Sequence, residues 1–161
     1  MLIGSLGAAS TGKTTAIIGI THQLKINGVA CEYLPEAARV VIDKLGYADQ
    51  KLIAKLEKDN IERAKAHPDR LWLSDSGLFL GQFYGGPVHD TDDYDMVIHF
   101  ERVYKSGYDS GRVTSREHAH AMAKTMALWA KNQQNVVDIQ DFKISMLMPC
   151  PARDYGRNQP F

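Results

Sequence analysis

Short apolar runs alternate with amphipathic stretches along most of the chain. The apolar runs predict strands, and these cover residues 2–6, 29–34, 71–73, 96–100 and 136–139. Between them, apolar residues recur at helical spacing and predict helices over residues 13–27, 37–45, 49–66 and 115–131. Strands that alternate with helices form a mostly parallel sheet covered on both faces. The pattern therefore predicts an α/β protein with a five-stranded sheet.

A glycine-bounded segment joins the first strand to the first helix. Residues 7–14 read Gly-Ala-Ala-Ser-Thr-Gly-Lys-Thr and match the phosphate-loop pattern G-x-x-x-x-G-K-[ST] without a mismatch. Its glycines let successive backbone N–H groups point at phosphate oxygens, and the helix N-terminus adds partial positive charge. We therefore predict a three-layer P-loop NTPase sandwich that binds ATP through Gly7, Ala8, Ala9, Ser10, Thr11, Gly12, Lys13, Thr14 and Thr15.

Two side chains of this loop and one later acid have predicted roles beside the phosphates. Lys13 is expected to reach the β- and γ-phosphates as a catalytic group, and the Thr14 hydroxyl to bind Mg²⁺. Asp75 follows the third predicted strand, where an acid would hold the same ion and take part in catalysis. The alternative is that Asp75 caps a following helix.

Three further residues are candidates for contact with a phosphoryl acceptor. Glu36 follows the second strand, at the carboxyl edge of the sheet where ligands of such folds bind, and is predicted to orient the acceptor. Arg39 lies three residues on, along the same helical face. Tyr84 is predicted to stack on a base. The alternatives are an exposed Glu36–Arg39 ion pair at a helix start, and a core position for Tyr84.

A basic segment before the last predicted helix has the composition of a lid over the phosphates. Arg112 and Arg116 are four residues apart and are predicted to converge on the transferring phosphoryl group as catalytic residues. The alternative is a pair of solvated arginines.

Composition limits the classes of protein to which the chain can belong. Its 161 residues suit one core, with 44% hydrophobic and 24% charged residues. We expect a kinase domain over residues 1–148 and a tail over residues 149–161. The formal net charge is zero, so nucleic acid is a disfavoured partner. No signal peptide or membrane span is recognisable, and two cysteines cannot form a disulfide framework; both observations predict a cytoplasmic protein. A homo-oligomer is left open.

Taken together, the motifs resemble a known family. The chain resembles the P-loop kinases related to the nicotinamide riboside kinase domain of bacterial NAD regulators, a grouping that includes phage nucleotide kinases. The resemblance covers about residues 1–140 and rests on residues 7–14, 34–39, 75–77, 83–84, 94–97 and 109–112 with Arg116. In place of the family's Asp-Gly-x-Arg this chain has Asp-Ser-Gly-Arg, and the second acid of an Asp-Thr-Asp-like stretch is missing after Asp75.

The resemblance implies an ATP- and magnesium-dependent kinase whose acceptor is a small molecule. Carried over by motif, the roles at the metal, the acceptor hydroxyl and the lid fall to Glu36, Asp75, Arg112 and Arg116. The expected acceptor is a nucleoside or a nucleoside monophosphate. Two alternatives remain: a polynucleotide 5′-kinase, and a nucleotide-sensing module or ATPase that transfers nothing to a small acceptor.

Overall fold

A parallel five-stranded sheet forms the centre of the protein. The computed structural model describes residues 1–9, 11–101 and 115–140. All four strand pairings are parallel, and the spatial order is β2-β3-β1-β4-β5. The strands are β1 Leu2–Leu6, β2 Cys31–Leu34, β3 Leu71–Ser74, β4 Met96–His99 and β5 Val136–Asp138.

Helices connect the strands, as parallel pairing requires. Asp49 caps α3, because its side chain accepts hydrogen bonds from the N–H groups of Lys51 and Leu52. A 3₁₀ helix, Leu78–Tyr84, follows β3. The α-helices are α1 Lys13–Ile26, α2 Ala37–Leu45, α3 Gln50–Ala66 and α4 Arg116–Ala130.

Buried side chains lie on both faces of the sheet and complete a three-layer sandwich. On one face, alternate strand residues pack with α1; they include Ile3, Leu73 and Ile98, against Ile17 and Leu24. On the other face, Leu2, Leu6, Trp72 and Val97 pack with Ile61 and Ala64 of α3 and with Met122 and Met126 of α4. The predicted fold class is confirmed, and the sheet is wholly parallel.

Strand boundaries differ from the sequence prediction by one or two residues. The second strand begins at Cys31 rather than at residue 29. Its expected first residue is diverted, because the Val29 N–H donates to the carbonyl of Leu24 and closes the end of α1. The fourth and fifth strands each end one residue earlier than predicted, at His99 and Asp138, and β3 extends by one residue to Ser74.

None of the helices in the described ranges combines the length and the hydropathy that a bilayer-spanning segment needs. Ser10, Arg112 and the tail predicted over residues 149–161 lie outside the described residues. Arg116 is the first residue of α4, and the interaction predicted for its side chain also lies outside the described part of the molecule.

Candidate functional site

The strand order brings three predicted groups to one edge of the sheet. Because β2, β3 and β1 are adjacent and parallel, their carboxyl ends lie side by side. Glu36 follows β2, Asp75 follows β3, and the loop from Gly7 follows β1. Asp75 is distant from the loop along the chain, but it follows the strand next to the one that precedes the loop.

The backbone of the predicted phosphate loop has the conformation that its glycines permit. Gly7 has φ of 156° and Gly12 has φ of 85°, both in the region that disfavours residues with a Cβ. A Cβ at Gly7 would also lie 2.8 Å from the carbonyl oxygen of Phe100. The two glycines therefore allow the chain to turn closely past the end of β4 before α1 begins.

Inside this turn, side chains bond to the loop's own carbonyl groups. The Lys13 ammonium donates to the carbonyl oxygens of Gly7, at 2.7 Å, and of Ala8, at 3.2 Å. The Thr11 hydroxyl donates to Ala8 at 3.0 Å. Thr14 is half-buried in the first turn of α1, whereas Thr15 is exposed. The lysine thus lies across the loop, over the concave side that the motif assigns to phosphate.

The N-terminus of α1 suits an anionic ligand. Its N-cap is Gly12, which has no side chain to satisfy the first N–H groups. Its first turn, Lys13-Thr14-Thr15, contains a cation and no acid. The helix dipole and the N–H groups of this turn therefore favour an oxygen anion.

Asp75 is a buried carboxylate at the end of β3. The residue is 1% exposed, and its Oδ2 accepts a hydrogen bond from the Tyr33 hydroxyl at 3.3 Å. Burial first, and then the charge of Asp75, raises the pKa of Tyr33 to about 12, so the phenol remains a donor at neutral pH. The helix-cap alternative is wrong, because the 3₁₀ helix begins after Gly77 and has no side-chain cap.

Buried oxygen atoms without partners gather at this edge of the sheet. Within the described part of the chain, Oδ1 of Asp75 and the hydroxyls of Ser5 and Ser74 have no hydrogen-bond partner. A backbone hydrogen bond joins β1 to the turn after β3 at this edge, since the Ser5 N–H donates to the Ser76 carbonyl at 3.5 Å. Buried oxygens of this kind are rare in native proteins and often mark a site completed by an ion or a ligand.

Glu36 and Arg39 form the ion pair that was the alternative to a catalytic role. Their atoms Oε2 and Nε are 3.8 Å apart at the start of α2. The Glu36 side chain is 27% exposed and that of Arg39 is 58% exposed. The pair is therefore accessible from solvent, and Glu36, the N-cap of α2, makes no side-chain cap hydrogen bond within the described residues.

Glu57 is a buried acid that the sequence analysis missed, although it lies between Glu36 and Asp75 along the chain. It is 3% exposed, accepts a hydrogen bond from the Ser76 hydroxyl, and has no described partner at Oε2. Burial raises its pKa from 4.5 to about 7, although the hydrogen bond from Ser76 and the nearby Ala37 N–H pull it down. The signal in the sequence was an acid in the apolar stripe of α3.

Tyr84 is not a core aromatic residue. It is the last residue of the 3₁₀ helix and is 40% exposed. Its neighbour Phe83 packs instead against the ring of Trp129, with ring centroids 5.6 Å apart. The core alternative for Tyr84 is therefore wrong, because the residue is partly exposed.

Thr14 and Asp75 are the candidate protein ligands of the predicted Mg²⁺ ion. In the described ranges, no group of three or more His, Cys, Asp or Glu side chains is placed to hold a metal ion. Mg²⁺ commonly binds through one or two protein oxygens together with waters and substrate phosphates. Thr14 and Asp75 fit that mode, in which the bound nucleotide completes the coordination.

Comparison with known proteins gives structural matches. No protein-family model and no curated protein matches the chain. A deoxyadenosine kinase from M. mycoides with bound dATP superposes with a TM-score of 0.53 at 17% identity, covering 91% of this chain and 94% of that one. The same kinase with products dCMP and dCDP gives 0.46 at 15% identity, covering 91% and 93%. At such identity the likeness to the dATP-bound kinase establishes a shared fold.

Proposed function

We propose that the chain is an ATP-dependent phosphotransferase that moves the γ-phosphate of ATP to a nucleoside or a nucleoside monophosphate. The observation that carries this proposal is the adjacency of a phosphate loop, a buried acid and an accessible acid at the carboxyl ends of β1, β3 and β2. Phosphoryl transfer depends mainly on positioning and charge stabilisation, and these three elements are what it requires.

On the donor side, residues 7–15 bind the phosphates of ATP. The N–H groups at the start of α1 face the β-phosphate, and Lys13 exchanges its bonds to Gly7 and Ala8 for phosphate oxygens. Thr14 and Asp75 hold Mg²⁺, which supplies positive charge to the β- and γ-phosphates. Oδ1 of Asp75 has no hydrogen-bond partner in the described part of the chain, which supports this role.

On the acceptor side, Glu36 orients the attacking oxygen. Its partly exposed carboxylate is one strand from Asp75, and Arg39 holds it by the ion pair. Tyr84, which is 40% exposed, stacks on the acceptor base. Arg112 and Arg116 neutralise the transferring phosphoryl group from the lid, as the resemblance to P-loop kinases implies.

The comparison with solved structures is in keeping with this assignment. The deoxyadenosine kinase from M. mycoides that shares the fold was solved with dATP bound. One kinase domain over residues 1–148, followed by a tail over residues 149–161, belongs to the same proposal. A cytoplasmic location, where ATP and Mg²⁺ are abundant, belongs to the same proposal, and Cys31 is a buried free thiol.

A transfer assay tests the proposal. The purified protein is incubated with γ-labelled ATP, Mg²⁺ and a panel of nucleosides and nucleoside monophosphates, with Lys13→Ala as the matched blank. We expect label to appear on at least one acceptor with the wild-type protein and not with Lys13→Ala. Brisk hydrolysis without transfer to any member of the panel would overturn the assignment and favour an ATPase or sensing module.

The polynucleotide alternative is separated by the same assay. Single-stranded oligonucleotides with 5′-hydroxyl ends are added to the panel at two salt concentrations. A polynucleotide kinase would label them with a steep dependence on salt. We expect no such preference, because the net charge is zero.

A further inference from the structure

An acid interrupts the buried face of α3. The buried residues of this helix are Ile53, Glu57, Ile61 and Ala64, at the spacing of a single helical stripe. An apolar side chain at position 57 would continue the stripe, whereas a carboxyl group that is 3% exposed loses its hydration. Local rules are broken in this way most often where function requires it.

Two contacts of Glu57 lead to the two turns that carry the proposed site. The Ser76 hydroxyl donates to Oε1 of Glu57, and Ser76 directly follows Asp75. The N–H of Ala37 lies near the same carboxyl group and lowers its pKa, and Ala37 directly follows Glu36. One side chain therefore bridges the end of β3 and the start of α2.

Neighbouring contacts make this bridge stiff. One helical turn before Glu57, Ile53 packs against Ala37 and Val41 of α2. On the side of Asp75 that faces β2, its N–H donates to the carbonyl of Leu34 at 3.0 Å and fixes the end of β3 to β2. The backbone at Asp75 is thus held from one side by β2 and from the other by α3.

We propose that Glu57 is a positioning residue that sets the distance between the carboxylates of Glu36 and Asp75, and so aligns the acceptor with the metal-bound phosphates. This inference rests on the proposed function. Glu57 reaches neither substrate itself, because it is buried beneath the two turns. Misplacement of a reacting group by about 1 Å is enough to slow transfer by about 100-fold.

Three substitutions separate the bridge from simple packing. Glu57→Ala removes both contacts, Ser76→Ala removes one, and Glu57→Gln keeps a carbonyl oxygen that can accept a hydrogen bond from either donor. We expect kcat to fall by about 100-fold in Glu57→Ala and by about tenfold in Ser76→Ala. In Glu57→Gln it should stay within about fivefold of the wild-type value.

The binding of ATP should change little in these variants. None of the hydrogen bonds described for Glu57 and Ser76 reaches residues 7–9 or 11–15, so KM for ATP should stay within about threefold of the wild-type value while kcat falls. Glu62→Ala is the matched control, because Glu62 lies on the exposed face of the same helix. Its kcat should equal that of the wild type. Equal kcat in Glu57→Ala and Glu62→Ala would overturn the proposal.

A measurement independent of transfer distinguishes failure of the bridge from failure of the proposed function. Amide hydrogen exchange, followed by NMR, reports whether the Ala37 N–H is bonded. We expect protection in the wild type and in Glu57→Gln, and faster exchange in Glu57→Ala. If no acceptor is phosphorylated, the proposed function fails. An unprotected Ala37 amide, or one unaffected by Glu57→Ala, shows that the bridge itself does not exist.

Discussion

The hydroxyl of Tyr33 lies 3.3 Å from Oδ2 of Asp75 and is a hydrogen-bond donor to that buried carboxylate. Tyr33 belongs to β2 and Asp75 follows β3, and these strands are paired in parallel with Tyr33 opposite Leu73. The bond engages Oδ2, whereas Oδ1 has no hydrogen-bond partner among the described residues. The tyrosine thereby orients the carboxylate as well as stabilising its charge.

Replacement of Tyr33 by phenylalanine tests this orientation. Tyr33→Phe removes the donor and leaves a buried charge with one bond fewer, so we expect a loss of about 1 kcal/mol in the free energy of unfolding, measured with urea. The increase in ATP affinity that Mg²⁺ produces should become smaller as well. Tyr47→Phe is the control, since Tyr47 is 61% exposed. Equal stability of the two variants would show that the bond to Asp75 contributes nothing.

Three alanine substitutions test the conformation of the phosphate loop. Gly12→Ala forces a Cβ into a left-handed conformation and should destabilise the protein by about 1–2 kcal/mol. Gly7→Ala should be worse, because its Cβ also meets the Phe100 carbonyl. Gly19→Ala lies in the interior of α1 with open space around it, and should instead stabilise by about 1 kcal/mol.

Thermal unfolding with and without ATP reads out both effects of these substitutions. Gly19→Ala should keep the full shift in melting temperature that ATP produces. Gly12→Ala should lose most of it, because the loop N–H groups no longer converge on the phosphates. An ATP-dependent shift that is equal in the two variants would contradict the assignment of the loop.

Lys13→Ala tests the charge inside the loop. The substitution removes the ammonium that we expect on the β- and γ-phosphates, so turnover should fall by about 100- to 1000-fold, the usual effect of losing one preorganised donor at a developing charge. Initial rates of transfer with labelled ATP measure this. Lys124→Ala, on the exposed side of α4, should transfer at the wild-type rate. A Lys13→Ala enzyme of normal turnover would remove the basis of the donor site.

The buried acid Glu57 makes stability depend on pH. Because its pKa is raised from 4.5 to about 7, the folded state favours the protonated form. The resulting stabilisation is complete below about pH 4.5 and is lost as the pH rises through about 7. Glu57→Gln has no such titration. Relative to that of the wild type, the free energy of unfolding of Glu57→Gln should therefore rise by on the order of 3 kcal/mol between about pH 4 and pH 8.

Urea unfolding of both proteins across this pH range measures the difference. Glu62→Gln is the matched control, since the exposed Glu62 carboxylate should leave the pH dependence unchanged. A constant difference between Glu57→Gln and the wild type at all pH values would mean that folding does not shift the pKa of the Glu57 carboxyl group.

Local features of the chain were enough to predict the α/β class and the phosphate loop. Apolar runs of strand length alternate with helical stripes, and this period follows from backbone geometry alone. The loop was recognisable because Gly7, Gly12 and Lys13 occur at fixed spacing between a strand and a helix. Boundaries were less certain, as at Val29, where a hydrogen bond to the preceding helix shortens the strand.

What remained undetermined by the sequence depends on residues that are far apart along the chain. The order β2-β3-β1-β4-β5 places Asp75 beside the phosphate loop, and no local pattern contains that information. The bridge from Glu57 to Ser76 and Ala37, and the bond from Tyr33 to Asp75, join separate elements. Such contacts are decided by packing across the sheet. The sequence by itself determined that a glycine-bounded loop joins a strand to a helix, and the tertiary structure decided which acids lie at the same edge of the sheet.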